Sequence, residues 1–205
     1  MHGLISKSIQ CFLNDTYGED LWMRIAARAG LRRDHIFEPL LHYDDSVTEA
    51  VVVAALGELG RTRDVLFEDL GTFLASREAL RRLLRFGGGD YLDFLLSLEE
   101  LPGRGCLTLP DLDLPGLTLC DGGAGHFLLL VESAVADWTP VMAGLLRAMA
   151  DDYGALVLIE TVDDGQEVRD KISISLLEAR YAEGRRFDLA AAPVSSANLT
   201  LTRVG

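Results

Sequence analysis

The side chains that could perform acid–base or metal chemistry are spread thinly along this chain. Pairs of adjacent acidic residues, which could act as proton donors or metal ligands, occur at residues 44–45, 99–100, 151–152 and 163–164. Neighbouring residues on a helix point in different directions, so such pairs rarely converge on one ion or substrate. We therefore interpret these carboxylates as solvated groups at helix ends and turns.

Histidine and cysteine, the residues that most often bind transition metals, show no metal-binding spacing. They are His2, His35, His42, His126, Cys11, Cys106 and Cys120. No two histidines stand four residues apart, and the cysteines form neither a CxxC zinc motif nor a disulfide framework. The GxSxG motif of hydrolases and the P-loop motif of nucleotide-binding proteins are also absent from the sequence. The sequence therefore predicts that the chain is not an enzyme.

Composition and charge narrow the possible partners. The chain has 205 residues, of which 49% are hydrophobic, and its net charge is −13. This composition predicts a globular protein with a substantial core, and the negative charge would repel nucleic acid and anionic membranes. No apolar run reaches the ~18 residues needed to span a bilayer, and the first residues form no signal-peptide core. We therefore expect a cytoplasmic location, with no nucleic-acid or membrane partner.

Along the chain, the elements predicted to position a functional site are first helices and then mainly strands. Apolar residues at helical spacing predict helices within the segments 3–14, 18–31, 44–60, 63–76, 77–86, 87–101 and 137–154. Alternating apolar residues predict strands within the segments 107–121, 126–133, 155–162 and 171–182. A glycine-rich turn at residues 122–125 joins the first two strands into a hairpin.

This order predicts an α+β fold, in which a helical lobe precedes a β-β-α-β-β lobe. The second lobe would have a small antiparallel sheet that carries one long helix. We expect one domain over residues 1–190, with the helical lobe at about 1–86 and the α+β lobe at about 87–190. Residues 191–205 are expected to form a loose tail.

Three local signals refine the helix boundaries. Ser46 and Glu49 have the spacing of a capping box, which predicts a helix start at Ser46. Asp90 follows three glycines and is expected to cap the next helix. Pro102, in the stretch LEELPGRG, is expected to end that helix before a flexible Gly-Arg-Gly turn.

A set of residues in order along the chain resembles the haem-nitric oxide/oxygen binding (H-NOX) family. These are MHGLI at the start, the Tyr17-Gly18, Ala29-Gly30 and Leu59-Gly60 pairs, Trp22, Phe37, YDD at 43–45, Gly71 and Phe73. The resemblance extends over roughly residues 1–180 and includes the proline-containing segment LPDLDLP. It implies a sensory domain that binds haem, with a helical lobe followed by a β-β-α-β-β lobe.

The same resemblance implies where the haem would be held. A proximal histidine would stand thirteen residues before the proline that presses on the porphyrin, and a Tyr-x-Ser-x-Arg motif would hold the propionates. Pro115 matches that proline, so the histidine position falls on Pro102, and the motif falls on Val131, Ser133 and Val135. Proline cannot bind iron, and valine supplies neither the hydroxyl nor the guanidinium that pairs with carboxylates. The sequence thus predicts a site without the family's haem ligands.

Apolar residues match the distal wall of the family's pocket. They are Ile5, Ile9, Leu74, Pro140 and Gly144. Oxygen-binding members have a tyrosine at the position of Pro140, so that hydrogen-bond donor is also missing. Gly144 is small where the family is usually bulky, which predicts room for a flat apolar ligand. The alternative interpretation is that all five are ordinary core and helix residues.

Two functional hypotheses follow. In the first, the chain is a sensor that has lost family-type haem ligation and acts through protein contacts or an apolar small ligand. The resemblance implies a signalling partner such as a histidine kinase or a diguanylate cyclase. In the second, the chain is a haem-based sensor of nitric oxide or oxygen with a substitute axial ligand. Cys106, one helical turn after Pro102, is the leading substitute because a thiolate can hold haem, and His2 and His126 are others.

Overall fold

A computed structural model describes residues 3–108, 114–133, 137–162 and 170–187, with the backbone alone for 106–108. In these ranges the helices are α1 (Gly3–Tyr17), α2 (Glu19–Arg28), α3 (Asp45–Leu59), α4 (Arg63–Ser76), α5 (Glu78–Arg85), α6 (Tyr91–Leu96), α7 (Leu101–Thr108) and α8 (Trp138–Tyr153). The strands are β1 (Gly116–Gly123), β2 (His126–Glu132), β3 (Leu156–Val162) and β4 (Asp170–Glu178). The predicted α+β class and the order of helices followed by β-β-α-β-β are confirmed. The predicted tail at 191–205 lies outside the described residues.

Aspartate side chains cap the starts of α3 and α6, and at α3 the cap differs from expectation. Asp44 is the N-cap of α3, since its carboxylate accepts the Ser46 N–H at 2.9 Å and the Ser46 hydroxyl at 2.7 Å. Ser46 is already inside the helix, so the predicted capping box of Ser46 with Glu49 is wrong. An ionised carboxylate binds the first N–H groups more strongly than a hydroxyl does. The predicted cap at Asp90 is confirmed, because its carboxylate accepts the Asp93 N–H at 2.9 Å.

Pro102 begins a helix and does not end one. The preceding helix α6 stops at Leu96, and a short 3-10 turn, Leu98–Glu100, leads directly into α7. Pro102 is the second residue of α7, where the missing N–H of proline would have no helical partner. The Gly-Arg-Gly sequence that follows continues the helix, so the predicted stop and flexible turn are wrong.

The four strands form one antiparallel sheet in the order β1-β2-β4-β3. The tight turn between β1 and β2 is confirmed at its predicted place, where Gly123, Ala124 and Gly125 have φ angles of 79°, 53° and 80°. Such angles favour glycine. Burial alternates along β2, so one face of the sheet is apolar and covered while the other is more exposed.

Side chains bind both outer edges of this sheet. The Glu99 carboxylate accepts the Leu119 N–H of β1 at 2.9 Å, and Arg147 of α8 donates to the Ile159 carbonyl of β3 at 2.8 Å. These bonds occupy edge groups that could otherwise pair with another strand. They also fix the 3-10 turn before α7 and the side of α8 against the sheet.

Two hydrophobic cores meet at α8. The first, which we call the helical core, packs α1 to α4 together and includes Val141 of α8. The second, the sheet core, packs α6 and the covered face of the sheet around α8 residues such as Met142, Leu146 and Met149. Trp138, at the start of α8, packs against both cores. A movement of α8 would therefore displace side chains in both cores.

Among the described helices, none is both long enough and apolar enough to cross a bilayer.

Candidate functional site

The short helix α7 positions Pro102, the residue at the implied iron-ligand position. Leu98 in the 3-10 turn before it is 1% exposed in the sheet core, and Leu101 packs against the same core. The Arg104 guanidinium donates to the Ser97 carbonyl at 2.7 Å, which ties α7 back to the end of α6. Pro102 itself is half-buried. It presents only hydrocarbon, so the start of α7 offers no donor atom for a metal.

The segment before β1 packs directly on α7. Gly105 is buried, and a Cβ atom built on it would lie 2.4 Å from the Leu114 Cδ1 atom. The Leu114 side chain thus packs against the backbone at Gly105, and a side chain there would displace the Leu114 methyl group. Pro115, which follows, is also buried. The predicted pair of Pro102 and Pro115 thus lies on two segments that are in contact through Gly105 and Leu114.

The strand predicted to hold the propionates carries only apolar side chains at its buried positions. Val131 is 3% exposed and lies in the apolar row of β2 with Phe127 and Leu129. Ser133 is exposed and follows the end of β2. Val135 lies outside the described residues. Of the three motif positions, the buried one is therefore purely apolar.

The predicted distal residues lie with the helical core. Ile9 is 4% exposed, and Ile5 and Leu74 are half-buried and pack against the same cluster. Pro140 is buried in the first turn of α8, as predicted. Val131 belongs to the sheet core, so the predicted lining residues are distributed between two cores.

Gly144 does not leave open space. A Cβ atom built on Gly144 would lie 1.9 Å from the Glu68 carbonyl oxygen of α4. The reverse contact is equally close, because a Cβ atom on Gly71 would lie 2.0 Å from the Val141 carbonyl oxygen of α8. The Thr72 hydroxyl also donates to the Gly144 carbonyl at 3.3 Å. The prediction of room at Gly144 is wrong, because the backbone of α4 fills that position.

Arginine and aspartate side chains hold the start of α8. Arg63 of α4 binds Asp137 through two bonds of 2.5 and 2.7 Å and Glu49 of α3 through two bonds of 2.7 and 2.8 Å. Hydrogen bonding to Asp137 and then to Glu49 raises the pKa of the Arg63 guanidinium above its usual range. The Thr139 hydroxyl binds Asp170 at 2.7 Å, which joins α8 to β4. Sequence reasoning missed this cluster, because its members are far apart in the chain.

The end of α8 holds a second charged cluster. Asp152 is 4% exposed, and its carboxylate binds Arg81 of α5 at 2.8 Å and lies 3.5 Å from Arg85. The guanidinium of Arg85 stacks 4.0 Å from the centre of the Tyr153 ring. Burial raises the pKa of the Tyr153 phenol, and the charge of Arg85 partly opposes that rise. The interpretation of Asp152 as a solvated group is therefore wrong, whereas Asp151 is exposed as expected.

Among the other candidate ligands, the described histidines lie outside α7. His126, at the β1–β2 turn, is exposed and bonds to the Ser175 hydroxyl at 2.9 Å, and the His35 ring packs against Phe37. His2, the side chain of Cys106 and the acidic pair at 163–164 lie outside the described part of the chain. In that part, no three His, Cys, Asp or Glu residues cluster as a metal site.

Comparison with known proteins identifies the family. The haem-NO-binding family matches this chain over residues 2–161. The chain belongs to the haem-NO-binding family. Its fold is that of solved H-NOX domains, including a Cs H-NOX variant with 4-cyano-L-phenylalanine (TM-score 0.75, 17% identity, 89% of this chain and 100% of that chain covered). A variant of T. tengcongensis H-NOX gives a TM-score of 0.74 at 17% identity, covering 87% of this chain and 99% of that one.

Relatives at low identity connect this H-NOX domain with cyclases. Soluble guanylate cyclase 89Da of Drosophila melanogaster is 20% identical over 169 residues, which is 81% of this chain and 25% of the cyclase. Soluble guanylate cyclase 89Db of the same organism is 19% identical over 169 residues, with the same coverage. The chain thus spans about a quarter of the length of these curated relatives. H-NOX domains are sensor domains, and this chain has that family's architecture.

Proposed function

We propose that this H-NOX domain works without histidine-bound haem and passes its signal through contacts with a partner protein. The observation that carries the proposal is Pro102, which stands in the first turn of α7 at the implied position of the iron-binding histidine. Its side chain has no lone pair to give to iron. The described residues beside α7 therefore do not fit histidine-ligated haem.

The propionate side supports the same proposal. A haem held in the family manner would bring carboxylates to Val131 in β2, to Ser133 just after it and to Val135. Val131 is buried among apolar side chains, and a carboxylate brought there without a cation or hydroxyl would be left uncompensated. An apolar ligand beside Gly144 is not part of the proposal, because α4 already occupies that space.

Transmission through α8 is the physical means we propose for signalling. This helix contacts α4 through the Gly71–Gly144 crossing and carries side chains into both cores. Helices packed backbone to backbone cannot deform gradually, so a shift of α4 displaces α8 and the sheet with it. The family resemblance supports a partner such as a histidine kinase or a diguanylate cyclase, and the named relatives extend that class to guanylate cyclases.

Absorption spectroscopy tests the proposal directly. The full chain is expressed with ample haem precursor, purified and scanned, and its fold is checked by circular dichroism. We expect a folded protein without a stoichiometric Soret band. A stoichiometric Soret band that shifts with nitric oxide would overturn the proposal and support a haem-based gas sensor.

If a Soret band is found, Cys106 is the first residue to test as the axial ligand. The backbone of α7 places it four residues after Pro102, which is one helical turn along the same face. If haem binds, Cys106→Ala should remove or shift the band, and Cys120→Ala is the matched control because Cys120 is an exposed cysteine on β1. An unchanged spectrum in the Cys106 variant would exclude the thiolate as the ligand.

Restoring the family residues tests the same point from the other side. The triple variant Pro102→His, Val131→Tyr, Val135→Arg should gain haem if the missing ligands alone prevent binding. Val131 is fully packed, so the tyrosine is expected to lower stability by about 1–3 kcal/mol. The variant is therefore compared with Val131→Tyr alone, which should lose the same stability without gaining haem.

A further inference from the structure

The chain segment after β4 is fixed to the end of α8 by its backbone. Residues 179–187 follow β4, and we call this segment the C-terminal strap. The N–H groups of Tyr181 and Ala182 donate to the Gly154 carbonyl at 2.8 and 3.0 Å, and the Arg185 N–H donates to the Asp152 carbonyl at 2.9 Å. These three bonds hold the backbone of the strap in one position, so little backbone freedom remains to be lost when a partner binds.

The far end of the strap reaches α5. Arg81 donates to the Arg186 carbonyl at 3.2 Å, and the Phe187 ring lies 5.1 Å from the Arg85 guanidinium. Arg81 and Arg85 share the single carboxylate of Asp152, at 2.8 and 3.5 Å. Within the described residues, the buried Nη1 atom of Arg85 has no hydrogen-bond partner. Arg81 also lies 3.8 Å from Glu78, which pairs with Arg82, so three guanidinium groups at this junction face two carboxylates.

Positive charge also predominates on the outer surface of the strap and α5, although the whole chain carries −13. The arginines at this surface are Arg82, Arg180, Arg185 and Arg186, and the carboxylates are Glu78, Glu183 and Asp151, whereas Arg81, Arg85 and Asp152 lie largely buried beneath it. Glu78 is paired with Arg82, and Asp152 is paired as described above. This surface is therefore locally positive, although the net charge of the whole chain is negative.

Three of these arginines are available to a partner. Arg180, Arg185 and Arg186 are exposed, and in the described part of the chain their side chains make no ion pair. Two aromatic residues lie in the same segments, since Phe86 directly follows α5 and is 72% exposed, and Tyr181 is 64% exposed. Arginine and aromatic side chains are enriched at the centres of protein–protein interfaces.

We propose that the C-terminal strap and α5 form a docking surface for a partner protein that presents a short Asp- and Glu-rich segment. The exposed guanidinium groups offer planar pairs of donors that match carboxylates. Phe86 and Tyr181 supply apolar area beside them. The overall charge of the chain opposes long polyanions such as nucleic acid and anionic membranes, whereas a short acidic segment meets only the local positive surface.

This inference rests on the part of the proposed function that assigns signalling to protein contacts. The two can fail separately, because one is read by haem absorption and the other by peptide binding. A haem-loaded chain that still binds the acidic peptide would overturn only the proposed function. A haem-free chain that binds no acidic peptide would overturn only the docking surface.

The test is a fluorescence anisotropy titration of the full chain with a short fluorescein-labelled peptide rich in Asp and Glu with interspersed Phe. We expect saturable binding that weakens as salt is added. The double variant Arg185→Glu, Arg186→Glu should lose about tenfold or more in affinity. The matched control is Arg32→Glu, Arg33→Glu, an exposed arginine pair after α2 that changes the net charge equally. Its affinity should stay within about twofold, because screening by salt weakens distant charges.

Four results would contradict the docking surface. Absence of saturable peptide binding to the unmodified chain would overturn the docking surface, and so would equal loss of affinity in both double variants. Competition by inorganic phosphate at the concentration of the peptide would indicate a simple anion site instead. Sedimentation with phosphatidylserine vesicles that depends on Arg185 and Arg186 would indicate a membrane contact instead. All four arginines are exposed, so the variants are expected to fold, and circular dichroism is used to check this.

Discussion

Arginine–aspartate pairs fasten both ends of α8 to other helices, the start to α4 and the end to α5, but the pairs differ in burial. At the start, Arg63 and Asp137 have side chains that are 37% and 17% exposed. At the end, Arg81 and Asp152 are 14% and 5% exposed. A buried charge that loses its partner is far more costly than an exposed one, so the end of α8 should be the firmer attachment. Between them lies the glycine crossing with α4, which sets how closely the lobes approach.

The largest effect is expected at that crossing, because it controls both ends at once. Gly144→Leu should lower the free energy of unfolding by about 3 kcal/mol or more, since its Cβ atom would collide with the Glu68 backbone. Urea unfolding measures this change. Gly57→Ala in α3 is the control, because its Cβ atom would meet nothing closer than 3.7 Å and should raise stability by roughly 0.5–1 kcal/mol. Equal stability of Gly144→Leu and the unmodified chain would contradict the tight crossing.

Breaking the end pair should have the next largest effect. Asp152→Ala leaves Arg81 and Arg85 largely buried without this carboxylate, which should cost about 2–3 kcal/mol, because Arg81 keeps its contacts with Glu78 and the Arg186 carbonyl. The neighbouring exposed residue provides the control, as Asp151→Ala should change stability by less than about 0.5 kcal/mol. Hydrogen exchange should also show faster opening of residues 179–187 in the Asp152 variant. Similar small effects of both substitutions would show that the buried pair does not anchor α8.

A smaller cost is expected at the start of α8. Asp137→Ala should cost about 1–2 kcal/mol, because Arg63 is partly solvated and keeps its bonds to Glu49. Asp69→Ala removes the exposed pair with Arg61 and serves as the reference, with an expected change below about 0.5 kcal/mol. If Asp137→Ala costs as much as Asp152→Ala, the difference between the two ends of α8 disappears.

The smallest effect concerns pH at the same end. Hydrogen bonding to Arg63 lowers the pKa of Glu49 in the folded protein. The stabilisation from Glu49 is therefore complete above the pKa of glutamate in the unfolded chain, about 4.3. It is lost as the pH falls through the lower pKa that Glu49 has in the folded protein. Glu49→Gln should be slightly less stable than the unmodified chain at neutral pH, and urea unfolding should show this difference shrinking as the solution is acidified. A constant difference at all pH values would exclude this pair as its source.

Much of the fold was predictable because its signals are local. The switch from helical to alternating apolar spacing, the glycine turn at 122–125 and the cap at Asp90 each depend on a few neighbouring residues. Pro102 shows where locality fails, because a proline is compatible with the end of one helix or the start of the next. In the structure α6 stops at Leu96, and Leu98 is buried in the sheet core before α7 begins.

The properties of the candidate site likewise fall into two groups, those of single residue types and those of tertiary contacts. The sequence alone determined that positions 102 and 131 have no iron donor or hydroxyl, since those properties belong to proline and valine wherever they lie. Tertiary structure alone decided that Gly144 is filled by α4, that Asp152 is buried against Arg81, and that residues 179–187 meet α5. These contacts join residues about seventy or more positions apart in the chain, and their energies come from burial and partner geometry. Neither quantity exists until the two lobes have packed together.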